Sequence, residues 1–149
     1  MPHREMTAEE VKALLDRGDG YVYVDVRSTV EFRQSHPVGA HNIPLLEPNG
    51  ATRMMEPNPD FERAILGTFP PGAKLVLGCS MGGRSRAACD ILSGRGYADL
   101  VNMSGGFSGA YDPFGTVIQE GWLSLGYPCA SGDEGGVSYA SILARIPGA

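Results

Sequence analysis

Apolar positions recur along the chain at two spacings, and the alternation between them lays out the architecture. Val11, Leu14 and Leu15 fall at i, i+3 and i+4, the stripe of an amphipathic helix predicted over Thr7 to Arg17. Thr7 with Glu10 three residues on forms a capping box at its start, and Gly18 stops it. Tyr21-Val22-Tyr23-Val24-Asp25-Val26 is short, β-rich and nearly continuously apolar, as a buried strand is. A short helix over Thr29 to Gln34 follows, then an extended piece from Ala40 to Ile43 that ends at Pro44. Leu45 to Pro59 holds Pro48, Asn49, Gly50, Pro57 and Pro59 and reads as a loop.

The same alternation continues through the second half. Asp60 to Leu66 reads as a helix, Pro70-Pro71-Gly72 as a turn and Lys74 to Gly78 as a strand. Cys79 to Gly83 is a loop, Arg84 to Leu92 a helix, and Leu100 to Met103 a strand before Ser104-Gly105-Gly106. Ile118 to Leu125 is predicted helical, ending at Gly126 with Pro128 beyond. Ser131 to Gly136 reads as a hinge-like linker. After it, Tyr139, Ile142, Leu143 and Ile146 make one helical stripe that should dock back on the body. Strands alternating with helices predict an α/β domain with a mainly parallel central sheet.

Composition narrows the function classes. The chain has 149 residues, enough for one domain with a core of its own. Its net charge of −5 argues against nucleic-acid and anionic-membrane binding, which need a basic face. No apolar run approaches the roughly 20 residues of a membrane span. Met1-Pro2-His3-Arg4-Glu5 has no apolar core of a secretory signal. With the odd cysteine count, Cys79, Cys89 and Cys129, this points to free thiols in a reducing, cytoplasmic setting. The cysteine spacings form no zinc pattern, and Lys12 and Lys74 lie in no phosphate-binding glycine loop, so neither metal nor nucleotide cofactor is indicated.

The segment that carries chemistry is Leu75-Val76-Leu77-Gly78-Cys79-Ser80-Met81-Gly82-Gly83-Arg84-Ser85. A buried strand delivers Cys79 to the carboxyl edge of the sheet, where α/β proteins bind ligands. Gly82 and Gly83 let the backbone curl around the sulfur. The helix that starts next turns its unpaired N–H groups and positive dipole end towards the thiol, and Arg84 adds a full charge. These effects favour thiolate over thiol and suit a nucleophile with anionic adducts. Arg86 is either a second anion contact or a solvated side chain. Lys74 to Ala88 contains no Asp or Glu, so a locally positive mouth is expected around Cys79.

Cys79-Ser80-Met81-Gly82-Gly83-Arg84-Ser85 resembles the active-site loop of rhodanese-type sulfurtransferases. Asp25-Val26-Arg27, Glu31-Phe32 and His36-Pro37-Val38-Gly39-Ala40-His41-Asn42-Ile43-Pro44 resemble that family's upstream segment, and Leu100 to Asn102 with Ser104-Gly105-Gly106-Phe107 its downstream one. Order and spacing match over roughly residues 7 to 130. The resemblance implies a rhodanese-like α/β fold, a mainly parallel five-stranded sheet flanked by helices. It implies a sulfurtransferase domain over residues 1–130, with 131–149 a Gly-rich linker and short helical tail outside it. It implies transfer of sulfane sulfur from an anionic donor such as thiosulfate to cyanide, a thiol or a protein acceptor. Cys79 would carry the persulfide, Ser80, Met81, Gly82, Gly83 and Ser85 would supply the N–H cradle, and Arg84 would bind or steer the donor.

Two departures concern the rim of the site. Ala110-Tyr111 stand where the family often has tryptophan, and Asp112 to Gln119 resembles an insertion before Gly121-Trp122-Leu123. Two other readings stay open. A non-catalytic carrier or sensor would deliver sulfur to one protein partner. A cysteine phosphatase or arsenate reductase would need Cys-x5-Arg, whereas Cys79 and Arg84 stand as Cys-x4-Arg, a shorter loop that favours sulfur. Asp25 and Arg27 read as structural, His36 as ordering the Gly39 turn, Cys89 as core, and Trp122 with Leu125 as a packed helix face.

Overall fold

A computed structural model describes residues 3–147. Met1 and Pro2, on which the reading of the N-terminus partly rests, and the last two residues of the tail lie outside them. In chain order the elements are β1 (Arg4–Met6), α1 (Ala8–Asp16), β2 (Val22–Asp25), α2 (Thr29–Gln34), β3 (His36–Pro37) and β4 (His41–Asn42). They continue with β5 (Leu46–Pro48), β6 (Met55–Pro57), α3 (Phe61–Thr68), β7 (Lys74–Gly78), α4 (Gly83–Ser93) and β8 (Asp99–Met103). The last are β9 (Ala110–Tyr111), β10 (Val117–Gln119), β11 (Cys129–Ala130) and α5 (Tyr139–Arg145).

Five strands make the central sheet in the order β1-β8-β7-β2-β4, every neighbouring pair parallel. This is the mainly parallel five-stranded sheet flanked by helices that the sequence implies. Side chains alternate across the sheet. Val24, Leu75, Leu77 and Leu100 pack on one face with Phe61, Ile65, Cys89 and Leu92 from α3 and α4. Tyr23, Val76, Val101 and Met103 pack on the other with Ala8, Val11 and Leu14 of α1, and with Phe32 and Trp122. Burial on both faces is why β2 and β7 read as continuous apolar runs. Truncating a side chain such as Leu77, fully buried there, costs about 2–5 kcal/mol. The register sets Asp25 beside Gly78 and Leu77 beside Asn102, so the carboxyl ends of β2, β7 and β8 meet at one edge.

Three elements differ from the sequence expectations. Arg4–Met6 adds an edge strand, tied down by Arg4 donating to Asp99 at 3.0 Å and to the Tyr21 hydroxyl at 2.7 Å. A short polar edge strand has no apolar alternation to betray it. The expected loop 45–59 contains an antiparallel hairpin, β5 with β6, turned by Asn49 accepting from the N–H groups of Ala51 and Thr52. The predicted helix over Ile118 to Leu125 does not form. Val117–Gln119 pairs antiparallel with β9, and the chain then doubles back so that Trp122 and Leu123 donate to the carbonyls of Gly106 and Phe107 at 3.1 and 3.0 Å. A Cβ at Gly121 would stand 2.3 Å from the Gly109 nitrogen, an approach only glycine allows. Tertiary hydrogen bonds therefore override a helical pattern only eight residues long.

Residues 131–136 run against the body. Gly132 donates to the Arg33 carbonyl at 2.7 Å, and the buried His36 ring sits 2.8 Å from the Phe32 carbonyl and 2.7 Å from that of Glu134. Ser138 caps α5, and Ile142 and Ile146 enter the core beside α3. Asp25 and Arg27 form a buried ion pair with Nη2 to Oδ2 at 2.7 Å, and the guanidinium lies 4.4 Å from the Phe107 ring centroid. That pair fixes the end of β2 beneath the 105–108 loop.

Candidate active site

β7 ends at Gly78 and hands the chain to Cys79 at the carboxyl edge of the sheet. The following loop is clamped from one side by residues 105–108. Phe107 donates to the Cys79 carbonyl and Ser108 to that of Ser80, both at 2.8 Å, and the Ser80 and Ser108 hydroxyls meet at 2.9 Å. The approach needs Gly106. Its φ is +60°, and a Cβ there would lie 2.5 Å from the Cys79 and Ser80 carbonyl oxygens. At the far end Gly82, with φ +111°, turns the chain into α4.

The curl closes on the sulfur. Cys79 Sγ accepts from the Gly82 N–H at 3.1 Å, the Ser85 N–H at 3.4 Å and Ser85 Oγ at 3.3 Å. Ser85 Oγ also lies 3.2 Å from the Gly82 carbonyl, so its one proton has two acceptors. An ionised sulfur wins that competition, because a charge-assisted bond is the stronger. The N-terminus of α4 adds its dipole. Cys79 is 2% exposed, yet it lines a cleft of about 360 Å³ with Ser80, Met81, Gly83, Arg84 and Glu31. Met81 points outward at 63% exposure. Of the six residues singled out with Cys79 from the sequence, Gly82 and Ser85 donate to its sulfur, whereas Ser80, Met81, Gly83 and Arg84 line the cleft and do not.

The charges at the mouth differ from the sequence expectation. Arg84 does not stand open to an anion: its Nη1 and Nη2 donate to Glu31 Oε1 and Oε2 at 2.7 and 3.0 Å. Arg86 pairs with Glu5 at 3.4 Å. Both carboxylates come from elements outside residues 74–88, where the local sequence shows no acid. Burial alone would raise the Glu31 carboxyl, but hydrogen bonds from Arg84 and Ser28 and the Arg84 charge hold it at about 2. The Arg84 guanidinium is raised further by the bond to Glu31. Glu31 is the site residue that residue-by-residue reading gave no role. Its signals were its place in the upstream segment, as Glu31-Phe32, and its position three residues after Ser28, a second capping box.

The other thiols lie elsewhere. Cys89 is fully buried in the core, and burial pushes its thiol up to about 12. Cys129, half-buried on β11, donates to the Tyr127 carbonyl at 3.3 Å, and burial raises it too. Among the described residues, no group of three His, Cys, Asp or Glu side chains is placed to hold a metal ion.

Known proteins resemble this chain in sequence and in fold. Residues 7–112 match the family described as Rhodanese-like domain. The chain is 37% identical over 93 residues to Protein HIGH ARSENIC CONTENT 1, mitochondrial, of Arabidopsis thaliana, covering 62% of this chain and 54% of that protein. It is 37% identical over 89 residues to the same plant's Thiosulfate sulfurtransferase 16, chloroplastic, covering 60% and 72%. The match thus spans about half the length of the first relative. Among solved structures, Rv0390 from M. tuberculosis superposes with a TM-score of 0.71 at 23% identity, covering 86% of this chain and 97% of that one. At that identity the likeness is one of fold.

Proposed function

The chain belongs to the rhodanese-like domain family, a membership that supports sulfurtransferase chemistry, and on that premise we propose that it moves sulfane sulfur through a persulfide on Cys79. The observation that carries the reading is the set of three donors aimed at Cys79 Sγ, from Gly82 N–H, Ser85 N–H and Ser85 Oγ. The Cys79 thiolate attacks the outer sulfur of a donor such as thiosulfate. A new S–S bond forms, the donor's S–S bond breaks, and sulfite leaves with the electron pair. The same donors that hold the thiolate then hold the persulfide anion. An acceptor thiolate or cyanide attacks the outer sulfur and leaves as persulfide or thiocyanate, returning the Cys79 thiolate. Ser80, Met81 and Gly83 line the cleft in which donor and acceptor bind, and Arg84 sets its charge together with Glu31.

The short Cys-x4-Arg spacing supports a sulfur-sized rather than a phosphate-sized group in the loop. The three free thiols support a reducing, cytoplasmic setting. The test is steady-state transfer from thiosulfate to cyanide by wild-type protein and Cys79→Ser. Turnover by the wild type and none by the variant is expected, because a serine alkoxide is not available near neutral pH. Retained turnover in Cys79→Ser would overturn the assignment. Stoichiometric loading of Cys79 without turnover would favour a carrier.

A further inference from the structure

An anion stands at the mouth of what is built as an anion site. Glu31 and Arg84 both line the cleft over Cys79, joined by two parallel hydrogen bonds at 2.7 and 3.0 Å. Glu31 is held a second time, because its Oε1 also accepts from the Ser28 N–H at 3.1 Å and the Ser28 hydroxyl at 3.0 Å. It cannot swing aside without undoing the N-terminal cap of α2. While Arg84 forks Glu31 it does not fork a sulfonyl group, and the two charges cancel at the cleft wall. The next arginine along the same edge, Arg27, is likewise closed on Asp25. What remains to attract an anion is the helix end and the loop N–H groups. A carboxylate held at about 2 stays ionised through the neutral range and is too weak a base to take a proton from an acceptor thiol. Its influence is therefore electrostatic.

Building on the sulfurtransferase reading, we propose that Glu31 is a specificity-determining residue that sets the charge preference of the Cys79 cleft. It works against dianionic donors such as thiosulfate and in favour of sulfane-sulfur donors with the same S–SO2 bond and less charge, the monoanionic organic thiosulfonates. The reaction is unchanged between the two: the thiolate bonds the outer sulfur, the S–S bond breaks, and sulfite or a sulfinate departs with the electron pair.

Coulomb energy scales with ligand charge, which gives the proposal a graded test. Glu31→Gln keeps the side chain's shape and an oxygen for the Ser28 N–H, and removes the charge together with one of the two acceptors that fork Arg84. KM for thiosulfate should fall about tenfold and KM for methanethiosulfonate about threefold; any change in Cys79 ionisation is common to both donors and cancels in their ratio, which should shift about threefold towards thiosulfate. The gain should shrink with added salt, since the pair is partly exposed. A purely structural role would move both KM values together, and equal changes or none would overturn the proposal. Should the variant fail to fold, Arg84→Gln runs the test in reverse: about a tenfold rise for the dianion and a threefold rise for the monoanion. Absence of transfer from either donor in the wild type would instead defeat the sulfurtransferase reading. The ratio of iodoacetate to iodoacetamide alkylation at Cys79 then tests Glu31 alone. It should rise about threefold in Glu31→Gln, and an unchanged ratio overturns the proposal.

Discussion

Gly106→Ala should damage the active-site loop from outside it. The alanine Cβ would arrive 2.5 Å from the carbonyl oxygens of both Cys79 and Ser80, at a backbone φ of +60°. The left-handed conformation alone costs a residue with a Cβ about 1–2 kcal/mol. Relieving the overlap means parting the two strands of chain there. That breaks the Phe107 N–H bond to Cys79 and the Ser108 N–H bond to Ser80, each worth about 1 kcal/mol net. A total destabilisation of about 3–4 kcal/mol follows, in a domain whose stability is ordinarily about 5–15 kcal/mol. In urea, with a slope of about 1–3 kcal/mol per molar, the midpoint should fall by more than about 1 M. Gly18→Ala is the control, because Gly18 has φ +71° with nothing within 4 Å of its Cβ position. It should lose only the conformational part, about 1–2 kcal/mol. Sulfur transfer should drop far more in Gly106→Ala than in Gly18→Ala, since only the former moves Cys79. Equal unfolding midpoints for the two variants, or full activity in Gly106→Ala, would refute the view that residues 105–108 clamp the cysteine loop.

Other perturbations probe the surroundings. Asp25→Asn leaves the buried Arg27 without its counter-charge and should cost about 3–5 kcal/mol in chemical denaturation; a loss below 1 kcal/mol would show the pair to be dispensable. Glu31 has a depressed carboxyl, about 2 against an ordinary 4.5, so its stabilising contribution is fully present above about pH 5 and is lost as pH falls towards 2. Melting temperature should therefore fall less steeply between pH 5 and 2 in Glu31→Gln than in the wild type, and parallel curves would contradict this. Cys89→Ala should lower stability by roughly 1–2 kcal/mol through the lost buried sulfur and leave the transfer rate unchanged. A rate loss there would place Cys89 in the chemistry.

The sheet and the cysteine loop were legible in the sequence because both are local. Runs such as Lys74 to Gly78 carry their own pattern, and Cys79 to Ser85 brings its sulfur, its glycines and its helix start in one segment. What the sequence hid depends on contacts between distant segments. The edge strand Arg4–Met6 is fixed by β8, almost a hundred residues on, and has no apolar face to show. Ile118 to Leu125 had a helical pattern, but Gly121 folds the chain back on Phe107 and Gly109 instead. The charge of the mouth was misjudged for the same reason. Arg84 and Arg86 look unopposed along the chain, whereas Glu31 and Glu5 reach them from α2 and β1. A local count of charges says little about an edge where several elements converge.

The central claim is that the sulfur held by Gly82 and Ser85 accepts and carries another sulfur. Mass spectrometry of the intact protein after brief exposure to thiosulfate, followed by peptide mapping, tests it most directly. The account predicts a gain of one sulfur atom on the Cys79 peptide alone. Cyanide should remove it, and the gain should be absent from Cys79→Ser while Cys89 and Cys129 stay unmodified. No gain at Cys79, or a gain on another cysteine, would contradict it.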